Sequence, residues 1–162
     1  MPSEPHIAIV TFDPAYARAF AELNYAWIRE YFDVESHDRD LLDHPCESII
    51  DKGGEIFFAL ARDEVAGTAA LIEAGSEAFE LAKMAVSPRF RRKGIADMLI
   101  AACVEHARQR GKSRIFLLSN TILGPAINLY IKHGFREVAL GEPSPYQRVN
   151  IRMELAITPD SL

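Results

Sequence analysis

A chain of 162 residues has room for one domain with a sizeable core and is short for two. Hydrophobic residues make up 49% and charged residues 25%, which excludes a disordered chain, and no apolar run approaches the roughly 18 residues that span a bilayer, so no membrane role is expected. A net charge of −5 speaks against nucleic acid as a partner, because that binding relies on a basic footprint.

The N-terminal stretch MPSEPHIAIV lacks the basic region and apolar core of a signal peptide, so a cytoplasmic location is expected. His6–Val10 reads as a first strand. Asp13-Pro14 opens a helix running to about Glu30, with aspartate capping free N–H groups and proline suited to the first turn. Tyr16, Phe20, Leu23 and Trp27 fall at helical spacing and predict one buried stripe; core packing is the expected role of Phe20 and Trp27. Asp38 or Asp40 could cap a short helix through Leu41 and Leu42 that stops before Pro45, and a second short helix could cover Glu47–Asp51. Gly53-Gly54 is a turn. Ile56–Ala61 and Val65–Ile72 form a hairpin across Arg62-Asp63-Glu64, with Gly67 a bulge or a close approach.

Ala78–Val86 is the next strand. Its alternation puts Phe79, Leu81, Lys83 and Ala85 on one face, and Glu80, Ala82, Met84 and Val86 on the other. Ser87-Pro88 ends it, since proline has no amide proton for a ladder bond. A basic turn follows, Arg89, Arg91, Arg92 and Lys93, then Gly94 and a helix to Gln109. Glycine lets an anion approach the backbone, and the first helical turn offers unpaired N–H groups and the positive end of the dipole. A plain solvated loop is the competing reading. The helix is apolar on most sides, and Cys103 within it reads as a small buried hydrophobe. Cys46 and Cys103 show no metal-ligand spacing, so no metal is expected. Gly111 is a C-cap, and Arg114–Leu118 is a strand made parallel to the previous one by the helical crossover. Ala126–Lys132 is a short helix, Phe135–Leu140 a strand, Gly141–Tyr146 a turn, and Val149–Ile157 a final alternating strand. These elements make one αβ domain, with an antiparallel front half and a single parallel crossover.

Arg91-x-x-Gly94-x-Ala96 after a strand ending in Val86 resembles the acetyl-CoA pyrophosphate motif of the GCN5-related N-acetyltransferase (GNAT) superfamily. Leu117-Leu118-Ser119-Asn120 resembles its fifth strand, and Ala126–Phe135, with Asn128-Leu129-Tyr130 and Gly134-Phe135, its following helix and turn. The resemblance runs from about residue 7 to residue 157 of a single domain, 1–162. It implies an α+β fold with a mixed, mostly antiparallel sheet of about seven strands, helices on both faces, and a splayed parallel pair at the acetyl-CoA site. Alanine at 96 replaces the third glycine of many members, a change the pattern tolerates.

The implied activity is transfer of an acetyl group from acetyl-CoA to a primary amine of a small acceptor, by direct attack in a ternary complex; a non-catalytic acyl-CoA sensor is the alternative. The resemblance implies CoA anchoring by the backbone from Arg91 through Arg92, Lys93, Gly94 and Ile95 to Ala96. It implies pairing of the pantetheine arm with Met84 and Val86, and a backbone N–H near Met84 or Ala85 facing the thioester oxygen. Asn120 and Asn128 match cofactor-side asparagines, though each could bond only local backbone. Tyr130 matches the tyrosine that protonates the departing thiolate; packing beside Leu129 is its alternative. Glu80 is the candidate general base, since partial desolvation would raise its pKa. A solvated or paired carboxylate, with Lys83 or Arg152, is the other reading, and His133 is a second candidate base. In such proteins the segment joining the first helices walls the acceptor cleft, so Phe32, Glu35 and His37 are candidate substrate contacts, Glu35 holding a cationic amine. Pairing into a homodimer through the final strands is a further expectation of the resemblance.

Overall fold

The structure, a computed structural model, describes residues 6–158. Residues 1–5, half of the stretch on which a leader is judged, lie outside the described residues. Seven strands form one sheet in the order β1-β2-β3-β4-β5-β7-β6. They are β1 (Ile7–Thr11), β2 (Glu55–Ala61), β3 (Glu64–Glu73), β4 (Ala78–Val86), β5 (Arg114–Ser119), β6 (Arg136–Val138) and β7 (Ile151–Ala156). Every neighbouring pair is antiparallel except β4 and β5. Four helices cover it: α1 (Ala17–Tyr31), α2 (Ser36–Asp43), α3 (Ile95–Gln109) and α4 (Gly124–Lys132). This is the mixed sheet with helices on both faces that the sequence predicts. Among the described residues no helix is long and apolar enough to cross a membrane.

Each sheet face has its own core. On one, Leu99, Cys103 and Ala107 of α3 pack on Phe57, Leu71 and Phe79. On the other, Phe20 and Ile28 of α1 and Leu41 and Leu42 of α2 pack on Ile56, Phe58 and Ala70. The stripe of α1 is rotated from the predicted one. Phe20, Asn24 and Ile28 are the fully buried positions, while Leu23 and Trp27 are half-buried on its flank. A buried asparagine is tolerated because both ends of its amide are used: Nδ2 donates to Phe20 O (3.0 Å), and Oδ1 accepts from Trp27 Nε1 (3.0 Å).

Other departures are local. α2 begins at Ser36 rather than at Asp38 or Asp40, because Glu35 is its N-cap and Asp38, at the third helical position, bonds back to the Glu35 N–H (2.9 Å). The predicted helix at Glu47–Asp51 is a π-helical turn, Cys46–Ile50. β6 is shorter than Phe135–Leu140, since only Arg136–Val138 find partners on β7.

β4 departs most. Thr68 pairs with Ala85 but Ala70 with Ala82, so Lys83 and Met84 together oppose Ala69. Lys83 takes φ 54°, the left-handed region. This bulge overturns the two faces expected for β4 from its loose alternation. Met84 and Val86 join Phe79 and Leu81 on the α3 face, while Lys83 turns to the α1/α2 face that Glu80 already occupies opposite Ile72.

Gly67 is a close approach, as expected. A Cβ there would meet Ile95 Cγ2 at 2.9 Å, Ala85 O at 3.2 Å and Leu99 Cδ1 at 3.2 Å. The neighbouring irregularity in β3 falls beside it, between the Ala59–Gly67 and Leu60–Val65 pairs. Gly67→Val should therefore lose about 1–3 kcal/mol through overpacking under α3. Urea denaturation checks this; a midpoint equal to wild type would show that α3 can retreat freely.

Candidate active site

β4 and β5 pair in parallel only through Ala78–Arg114, Phe79–Ile115 and Glu80–Phe116. Beyond that point β5 keeps its ladder with β7 to Ser119, while β4 bends at its bulge. The strands part, and a cavity of about 360 Å³ opens between them. This is the splayed pair that the sequence leads one to expect. Backbone on the facing edge of β4 loses its β5 partner there and can serve an extended ligand.

One half of the cavity is lined by Met84, Ala85 and Val86, by Arg91, and by the segment from Leu117 to Asn120. Phe90 is buried and anchors the turn before α3, while Arg89 is held outside by Glu64 at 2.7 Å. Gly94 caps α3 with φ 76°, and a Cβ there would find open space. Glycine is thus required by backbone conformation and leaves the approach to the first helical turn clear. Of the loop residues, Arg91 lines the cavity; Arg92, Lys93 and Gly94 are exposed beside it, Ala96 is half-buried, and the Ile95 side chain is in the core. Asn120 also lines the cavity, but its amide is engaged, donating to Arg148 O (2.6 Å) and accepting from Ile122 N–H (2.9 Å). Asn128 is exposed on α4 and outside the lining. Tyr130 of the same helix lines the cavity with its ring edge-on to Phe135 (5.9 Å), and burial pushes its phenol up to about 12. It therefore keeps its proton at neutral pH.

The other half is lined by Trp27 and Tyr31 of α1, by Phe32, by Glu80 and Lys83, and by Tyr146 and Arg148 of the β6–β7 loop. Behind this wall lies Asp38, with no exposed surface. It binds Lys83 Nζ through Oδ1 and takes a two-pronged bond from Arg148, Nη1–Oδ2 at 2.8 Å and Nη2–Oδ1 at 2.6 Å. Both cations also lie over the Tyr146 ring, at 4.6 Å and 4.3 Å from its centroid. Burial alone would raise the Asp38 pKa, but the bonds from Arg148 and Lys83 outweigh it and hold the carboxyl down at about 2. Burial lowers the Lys83 pKa, and Asp38 opposes that shift.

Glu35 and His37 sit behind the wall rather than in the cavity lining. Glu35 accepts from Gln147 N–H (3.0 Å) and from Arg148 Nη1 (3.3 Å), so its carboxylate is occupied by the loop and is not offered to a ligand. The His37 ring meets Tyr146 at 5.1 Å, and its pKa is lowered by burial and then by Lys83. Phe32 does line the cavity. Glu80 lines it too, and its pKa is raised to about 6 because burial outweighs the nearby charges of Lys83 and Arg152. His133 lies away, bonded to Asp97 at 2.7 Å.

Sequence reasoning missed Trp27, Lys83, Tyr146 and Arg148 on the wall and Asp38 behind it. One signal was available: a lysine inside the otherwise apolar run from Leu81 to Val86 asks for a buried partner. No pattern pointed to that partner, which lies 45 residues away.

Asp38→Asn leaves Lys83 and Arg148 buried without their shared anion and should cost about 3–5 kcal/mol. In the wild type the stabilisation from Asp38 is complete above its unfolded pKa near 3.8 and is lost as pH falls through about 2. Denaturation of both proteins between pH 2 and 7 checks this; equal stability at pH 7 would remove Asp38 from the scaffold.

Residues 20–135 match the model of the acetyltransferase (GNAT) family. The uncharacterized N-acetyltransferase YvbK of Bacillus subtilis (strain 168) is 30% identical over 109 residues, which is 65% of this chain and 70% of YvbK. A GNAT-family acetyltransferase of Staphylococcus aureus Mu50 superposes with a TM-score of 0.87 at 19% identity, covering 94% of this chain and all of that one. Salmonella typhimurium yncA, a putative acetyltransferase solved with its cofactor acetyl-CoA, superposes with a TM-score of 0.72 at 18% identity, covering 97% of each chain. With its family model spanning most of the sheet and the loop before α3, the chain belongs to the acetyltransferase (GNAT) family.

Proposed function

We propose that the protein transfers the acetyl group of acetyl-CoA to a primary amine of a small acceptor, by direct attack with both substrates bound. One observation carries the reading: the free edge of β4, a half-buried carboxyl at Glu80 and a protonated phenol at Tyr130 open onto one cavity beside a glycine-capped helix N-terminus. The yncA structure holds acetyl-CoA on a similar fold, which supports the same ligand here.

In this reading the loop from Arg91 to Ala96 receives the pyrophosphate, with Arg91 supplying charge where the loop meets the cavity. β4 receives the pantetheine arm as an added strand. A backbone N–H near Met84 or Ala85, at the bulge, faces the thioester oxygen in this reading and stabilises the developing negative charge. Glu80 accepts a proton from the acceptor ammonium and passes it to solvent. The neutral nitrogen attacks the carbonyl carbon, the new C–N bond forms, and nitrogen loses its second proton by the same route. As the C–S bond breaks, Tyr130 donates its proton to the thiolate and recovers one from solvent. The sum is one N-acetyl amine, one free thiol and one released proton per turnover.

The rate should rise with pH through about 6, where Glu80 becomes the free base. Glu80→Gln should remove that limb and lower kcat by about 10²–10⁴-fold. The same variant should be more stable at pH 7 by up to about 2 kcal/mol. The sign follows from a folded pKa above the unfolded value near 4.5: ionisation costs stability as pH rises past 4.5 and through about 6. Tyr130→Phe should lower kcat at least about tenfold with KM for acetyl-CoA unchanged. Thiol release against an amine panel is the assay. An unaltered pH profile in Glu80→Gln would dismiss it as the base, an unaltered kcat in Tyr130→Phe would dismiss the phenol, and ligand binding without thiol release would mark an acyl-CoA sensor.

A further inference from the structure

The acceptor wall, on the acyl-transfer reading above, also states what kind of amine it takes. Its two cations are already paired with acids. The Trp27 N–H is used by Asn24, so the indole can offer the cavity only its apolar surface. Both terminal nitrogens of Arg148 are bound by carboxylates, and Lys83 is bound by Asp38. Two cations, Lys83 and Arg148, therefore stand against two carboxylates, Asp38 and Glu35, and their charges cancel. Glu80 is left over as the lining carboxylate that, among the described residues, makes no side-chain hydrogen bond.

The remaining wall is aromatic. Trp27 and Phe32 meet edge to face at 6.4 Å, Tyr31 stands 48% exposed beyond them, and Tyr146 is fixed by the two cations and His37. We infer that the acceptor is a primary monoamine on a flat apolar body, an arylalkylamine in chemical class. Its ammonium goes to Glu80 and its ring to Trp27, Phe32 and Tyr146. A second ammonium would lie against Lys83 or Arg148 with no anion left for it. A carboxylate beside the amine would face Glu80, and would compete with Asp38 and Glu35 for the cations. Flat rings, by contrast, gain edge and face contacts from every aromatic group on the wall.

The test uses the full chain with saturating acetyl-CoA, following thiol release and product mass. The acceptors are 2-phenylethylamine, n-butylamine, putrescine and phenylalanine. The expected kcat/KM for 2-phenylethylamine is at least about tenfold above each of the others. Trp27→Ala should lower the 2-phenylethylamine to n-butylamine ratio about tenfold, through KM, and Trp27→Phe should recover most of it. Putrescine or phenylalanine matching 2-phenylethylamine would overturn the inference and leave the acyl-transfer reading standing. So would a Trp27→Ala protein that loses both monoamines equally and is not recovered by Trp27→Phe. Thiol release with none of the four would overturn the acyl-transfer reading, and this inference with it.

Discussion

Lys83 and Arg148 share one fully buried carboxylate, and the shape of the cavity depends on that arrangement. A buried charge is tolerated only where its partner is close and its hydrogen bonds are met, and Asp38 meets both cations at once. The knot ties α2 to β4 across 45 residues and to the β6–β7 loop across 110. It holds Lys83 in the left-handed conformation that bends β4. It also brings Tyr146 and Arg148 over the gap that the bend helps to open.

The bend lets one strand serve two purposes. Up to Glu80, β4 is an ordinary member of the sheet, paired on both edges. Beyond Glu80 it keeps β3 and loses β5, so the strand from Glu80 to Val86 lines the cavity, with Arg91 of the following turn beside it. Because the knot is charge-balanced in itself, Glu80 is electrostatically conspicuous. Burial pushes its pKa up, and the nearest cation is already bound to another acid. A carboxyl titrating near 6 in a desolvated site is the state a general base requires.

Much of this was legible in the chain. The bounds of β4, α3 and the β2–β3 hairpin follow from periodicity and from Pro88, Gly94 and Gly111, because local rules decide them. Glu80 stood out because a carboxylate in an apolar strand is chemically conspicuous, and Tyr130 because Asn128-Leu129-Tyr130 resembles the family's motif. The bulge left one trace, Lys83 falling by alternation on the face of Phe79 and Leu81; the residues around it are apolar, so slipping one residue changes little else in the pattern. Trp27 was assigned to the core because its spacing from Phe20 fits a stripe; the true stripe is rotated by one position because Asn24 satisfies itself inside. Glu35 drew attention as an acid in the segment that the resemblance places on the acceptor wall, yet its partners, Gln147 and Arg148, lie more than 100 residues away, and only the fold brings them together.

The central claim is that the splayed β4–β5 edge and the glycine-capped turn before α3 form one acetyl-CoA site. Calorimetric titration of the wild type and of Gly94→Val with acetyl-CoA tests it most directly. One molecule bound per chain, weakening as salt screens the basic turn, with Gly94→Val at least about tenfold weaker because valine resists positive φ and obstructs the approach, is the predicted result. No binding to the wild type, or equal binding by Gly94→Val, would contradict it.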